Sequence, residues 1–177
     1  MLQAAEADGL KIIGAVIVIG ACLSIGQRRV IAVRRELCTL GALMHGVRIM
    51  RAELTSRLCP MEELLRKAAE HAGPEAEDFF LCCAESLSKL NENSFSELWS
   101  DACGTILSIP AEERRQLELL GESLGRYELD EQLAACDRYL HDAGVKVQKL
   151  RMMLPELSKL SLALSAAAGA FLCLLIL

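Results

Sequence analysis

Apolar residues recur in two different ways along this chain. At both ends they run without interruption by charge, from Ile12 to Gly26 and again over the 18 residues from Leu160 to Leu177. Between these runs they alternate with polar residues at helical spacing. Eighteen helical residues rise about 27 Å, close to the roughly 30 Å hydrocarbon core of a bilayer. The shorter first run approaches that length when Leu10 joins it and Lys11 reaches for the interface. Residues 10–27 and 160–177 are therefore expected to be transmembrane helices. An export signal is the poorer reading of the first run. Glu6 and Asp8 precede Lys11 where a signal wants a basic start, and Ile19 to Cys22 matches a lipoprotein cleavage box only loosely.

The strongest internal rhythm lies downstream. Leu129, Leu133, Cys136, Leu140, Ala143, Val147, Leu150, Leu154 and Leu157 alternate steps of four and three, the spacing of a coiled-coil seam. Gly144 weakens this helix, and Pro155 is expected to kink or break it. Upstream, Val33, Leu37, Leu40, Met44, Val47, Leu54 and Leu58 keep the same rhythm, with Arg51 where one apolar residue is due. The two segments predict an antiparallel stalk over 28–58 and 129–157, paired within the chain or in an oligomer. Nothing between Gly26 and Val33 signals a helix stop, so the first run should continue into the stalk.

A tip over 60–128 divides into shorter helices. Pro60 and Pro74 stand where a first helical residue belongs, with Gly73 as a stop between them. Ser94 to Glu97 is a capping box ahead of Trp99, Pro110 with Glu112 and Glu113 opens another helix, and Gly125 is a candidate terminator. No strand pattern is present. The predicted fold is all-α, with two terminal transmembrane helices flanking a cytoplasmic helical bundle that carries a long antiparallel coiled-coil-like stalk. Small residues at four-residue separation, Gly20 with Ser24 and the series Ser161, Ser165, Gly169 and Cys173, would let membrane helices approach closely, within one chain or between subunits.

Charge sharpens this picture. The net charge of −5 conceals +5 over 27–59, −12 over 60–142 and +3 over 143–159. Arg28, Arg29, Arg34 and Arg35 follow the first run, and Lys146, Lys149, Arg151 and Lys159 precede the second. Clustered Lys and Arg mark the cytoplasmic side of a membrane. Both termini should therefore lie outside, with the intervening body in the cytoplasm. The basic ends suit anionic lipid and the acidic middle a basic protein surface, which disfavours nucleic acid as a partner. A merely solvated acidic exterior remains the plainer reading.

Candidate chemistry adds little. Eight cysteines face a reducing compartment, with no C-x-x-C, and His45, His71 and His141 fall at no ligand spacing, so neither a disulfide framework nor a metal site is expected. No phosphate-binding glycine loop or nucleophile elbow is present. Adjacent carboxylates such as Glu62 with Glu63 point about 100° apart on a helix and read as exterior charge. No cofactor and no enzymatic activity are expected.

The stretch from Leu117 to Leu133, LELLGESLGRYELDEQL, resembles a motif of the stage III sporulation protein AB family of endospore-forming bacteria, with Leu117, Gly121, Leu124, Gly125 and Gln132 in step. Glu128 stands where an Asp is usual, which keeps the charge but weakens capping. AELTSRLCPMEELL and SFSELW are weaker matches. In this motif Gly121 suits a close helix crossing, Gly125 a left-handed turn, and Gln132 a bond to freed backbone groups. Packing of the tip is favoured over a binding pocket. The resemblance implies a membrane component of the apparatus joining mother cell to engulfed forespore. It implies as partners a cytoplasmic secretion-type ATPase, similar to stage III sporulation protein AA, and further membrane proteins of the complex. It also implies a likeness to F-type platform domains of type II secretion. A different class of function stays open: a membrane-anchored adaptor that binds anionic lipid or a signalling partner through its basic segments.

Overall fold

The computed structural model describes residues 2–56, 59–88, 94–126 and 128–176. Six helices follow one another: α1 (Leu2–Ser56), α2 (Met61–Ala72), α3 (Glu77–Ser88), α4 (Phe95–Thr105), α5 (Ala111–Arg126) and α6 (Leu129–Ile176). They form two compact units, one made of Met1–Arg35 with Leu150–Leu177 and the other of Glu36–Lys149.

Local chemistry sets the helix ends. Leu64 N–H donates to the Pro60 carbonyl at 3.0 Å, starting α2, and Gly73 ends it at φ 92°, a conformation that only glycine adopts without strain. α3 begins at Glu77 rather than Pro74, because residues 74–76 form a turn in which Ala76 and Glu77 N–H both donate to the Gly73 carbonyl. At α4 the capping box is complete. Glu97 N–H donates to Ser94 Oγ at 3.3 Å, and Ser94 N–H donates to Glu97 Oε2 at 3.0 Å. α5 opens after Pro110 with Glu112 and Glu113 in its first turn. It continues through Gly125 to Arg126, so the motif's second glycine is helical rather than a left-handed stop. α6 likewise continues past Pro155, which removes one backbone donor without ending the helix.

The core of the second unit is wider than a heptad seam. α1 buries Leu40, Ala42, Leu43, Val47 and Met50, while α6 buries Ala135, Cys136, Tyr139, Ala143 and Val147. Flanking positions are therefore recruited because more than one helix leans on each long helix: Gly46 of α1 meets Phe80 of α3, and Lys67 of α2 bonds Glu53 of α1 at 2.9 Å. Arg51, the break in the upstream rhythm, grips Asp137 of α6 with two hydrogen bonds of 2.5 and 2.9 Å. Leu58 lies outside the described residues.

The first unit corrects one expectation. Two terminal transmembrane helices are predicted from the hydrophobic runs, but among the described residues no helix is long and apolar enough to cross a membrane. In α1 the uncharged stretch from Ile12 to Gly26 is enclosed by Lys11 and Arg28 and rises about 22 Å, short of the roughly 30 Å required. Extending Lys11 toward an interface does not lengthen the apolar stretch itself. In α6 the uncharged stretch from Leu160 to the helix end at Ile176 rises about 26 Å. Residues 10–27 and 160–176 are thus the ends of two long, partly charged helices. The side chains of Ser24, Ser161, Ser165, Gly169 and Cys173 lie outside the described set, so the small-residue faces are not placed; at Gly20 a Cβ would have nothing within 4 Å.

Candidate interaction site

Helices α3, α4 and α5 of the second unit meet around one side chain, Trp99, which is fully buried. Its ring packs edge-on against Phe79 at 4.8 Å between centroids and against Phe80 at 6.3 Å, and Phe95 lies at 5.6 Å. Its indole Nε1–H donates to the Leu117 carbonyl at 2.7 Å, so the one polar atom of the ring is satisfied inside the core. On α5, Leu117, Gly121 and Leu124 share the buried face at helical spacing. A Cβ on Gly121 would overlap the Trp99 ring and stand 2.7 Å from its Nε1, so the glycine is what allows the two helices to meet here.

Two further motif residues, Glu128 and Gln132, stand at the start of α6. Glu128 is exposed and accepts the first α6 hydrogen bond at its backbone carbonyl, from Gln132 N–H at 3.0 Å. Gln132 itself is half-buried. The motif thus divides into a packing half on α5 and a helix-starting half at α6.

Beside it, α5 and α6 leave an open cleft of about 610 Å³. Leu120, Ala135 and Tyr139 are its buried lining, with exposed Leu119 and Ala134 at the mouth. The gap follows from residue size. Ser123 on α5 and two consecutive alanines on α6 are among its lining, and small side chains there leave volume that leucines would fill. Charged residues rim it: Glu122, Glu131 and Asp142 against a single Arg138.

The first turn of α5 carries a buried polar group. Glu113 is 5% exposed, one of its oxygens pairs with Lys146 Nζ, and the other, Oε2, has no hydrogen-bond partner. Lys146 also approaches Glu36 at 3.7 Å, and hydrogen bonding to Glu113 raises its pKa despite partial burial. Burial holds the Tyr139 hydroxyl far above its ordinary pKa, and it too has no hydrogen-bond partner. The same desolvation raises the Cys103 thiol to about 12 and the Cys136 thiol to about 11. These thiols are inert core groups rather than nucleophiles. Among the described residues no group of three or more His, Cys, Asp or Glu side chains is placed to hold a metal ion.

The basic residues flagged from sequence separate in the same way. Arg28, Arg29, Arg34, Arg35, Lys149, Arg151 and Lys159 are exposed, whereas Lys146 is committed to Glu113 and Glu36 inside the second unit. Sequence reasoning missed both the aromatic hub and the cleft. The adjacent pair Phe79 and Phe80, and the pair Ala134 and Ala135 beside a heptad position, are the signals that could have pointed to them.

Comparison with known proteins follows the motif. A family model described as Stage III sporulation protein AB matches residues 11–177. A solved structure of Stage III sporulation protein AB superposes with a TM-score of 0.61 at 18% identity, covering 68% of this chain and 97% of that one; at such identity the likeness concerns the fold. Among curated proteins none matches.

Proposed function

The chain belongs to the Stage III sporulation protein AB family, and from that premise we propose that it is a non-enzymatic assembly component of the channel apparatus between mother cell and forespore. It works on the cytoplasmic side of the mother-cell membrane, beside the membrane proteins of the complex, and links them to a cytoplasmic secretion-type ATPase. The observation that carries this reading is the contrast within the second unit. Its interior is closed largely by aliphatic and aromatic side chains, while Asp78, Glu112, Glu122 and Glu131 stand exposed on α3, α5 and α6. A rigid body with an acidic exterior supports docking to a basic protein surface, and steering by such charge is long-ranged only at low ionic strength.

Titration of the full chain with the purified secretion-type ATPase of the same organism tests the proposal. Binding should be measurable at low salt and weaken as salt shortens the screening length from about 10 Å at 0.1 M to about 3 Å at 1 M. No binding at low salt contradicts the ATPase link. Binding that ignores salt removes the acidic exterior as its cause.

A further inference from the structure

We infer that the cleft between α5 and α6 is the docking groove for a segment of that ATPase that carries one apolar anchor side chain flanked by Lys or Arg. This inference rests on the proposed function and assigns it a place on the surface. Three features of the cleft select such an occupant. Its volume of about 610 Å³ lies within the roughly 300–1,000 Å³ typical of sites that enclose a compact group. Leu120, Ala135 and Tyr139 offer an apolar lining at its base, and Leu119, 52% exposed at its mouth, gives an aliphatic surface that a covering side chain would shield from water. The rim carries Glu122, Glu131 and Asp142 against Arg138 alone, an excess of two negative charges that complements cationic residues next to the anchor and disfavours acidic ones.

The groove is built rather than incidental. Trp99 holds α5 by the hydrogen bond to the Leu117 carbonyl, and Gly121 lets that helix sit against the ring. Across the cleft, α6 is fixed by Lys146 to Glu113 and by Asp137 to Arg51. A groove whose walls are fixed in advance loses little entropy when an anchor enters it.

Three variants of the full chain test the assignment against the purified ATPase. Ala134→Trp fills the mouth from an exposed position without touching the core. Glu122→Lys with Glu131→Lys reverses the rim. Glu70→Lys with Asp101→Lys makes the same change of net charge on α2 and α4, away from the cleft. The cleft assignment predicts that the first two variants each weaken binding about tenfold or more, and that the third changes it less than about twofold. Each variant is first checked for unchanged far-ultraviolet circular dichroism and melting; one that loses either is replaced by Leu119→Asn, for which the same tenfold loss is expected. Equal loss in the rim and control pairs, or no loss with Ala134→Trp, overturns the groove while the ATPase link stands. Failure of the unaltered chain to bind overturns both.

Discussion

Replacing Gly121 by alanine is the sharpest probe of how the motif works. In a solvent-facing helix position Gly→Ala raises stability by about 0.5–1 kcal/mol, because alanine has less backbone freedom to lose. Here the added Cβ would overlap the Trp99 ring and approach Nε1 to 2.7 Å, and the ring is fully buried among Phe79, Phe80 and Phe95. Relief requires α5 to shift outward or Trp99 to leave its site. Overpacking of this kind costs about 1–3 kcal/mol, and loss of the indole bond to the Leu117 carbonyl adds about 1. After the propensity gain is subtracted, Gly121→Ala should destabilise by about 1–3 kcal/mol, or roughly 4–12 °C in Tm for a unit of this size. Urea unfolding followed through the emission of Trp99, the sole tryptophan, reports both the midpoint and the ring's surroundings. Gly41→Ala is the control: it lies exposed within α1 with nothing within 4 Å of its Cβ, and it should stabilise. A Gly121→Ala protein as stable as the parent, with unchanged emission, refutes the packing role.

Other consequences are open to simple measurement. Lys146→Met leaves the buried Glu113 carboxylate without its cation; because 32% of the lysine side chain is exposed, the loss should be about 2–3 kcal/mol rather than the ~3–5 of a fully buried pair, and Glu113→Gln added to it should recover most of that loss in thermal melting. The Arg51 hydrogen bonds lower the Asp137 pKa, so this pair stabilises the fold above the ordinary carboxylate range near ~4 and its contribution disappears as pH falls through the lowered value. Arg51→Ala should therefore flatten the acid limb of a stability–pH curve, and an unaltered limb would count against the pair. Brief treatment of the native chain with iodoacetamide, mapped by peptide mass, should modify exposed Cys38 and spare Cys83, Cys103 and Cys136 until the protein is unfolded.

What the sequence made legible followed local rules. The capping box at Ser94, the stop at Gly73 and the start after Pro110 are decided by residues within four positions of one another, and each stands as expected. Helical rhythm identified α1 and α6, but it understated their buried faces, since burial depends on how many neighbours lean on a helix. Gly125 as a stop and Pro155 as a break mark the opposite failure, where a breaker's local cost is outweighed by the helix that continues past it. Hydrophobic run length led to two transmembrane helices that the described residues do not support. In the candidate site, the α5 motif was visible as a pattern. That Gly121 answers to Trp99, 22 positions upstream, and that Ala134 and Ala135 open a cleft, depend on contacts distant in sequence.

The central claim is that this acidic helical body joins the sporulation complex to its ATPase. Recovery of the tagged full-length chain from sporulating cells, followed by identification of what accompanies it, tests this most directly. The account predicts the secretion-type ATPase together with membrane components of the complex, with the ATPase lost when Glu122 and Glu131 are both changed to lysine. Recovery of the membrane components without the ATPase, from cells that contain it in normal amount, would contradict the account.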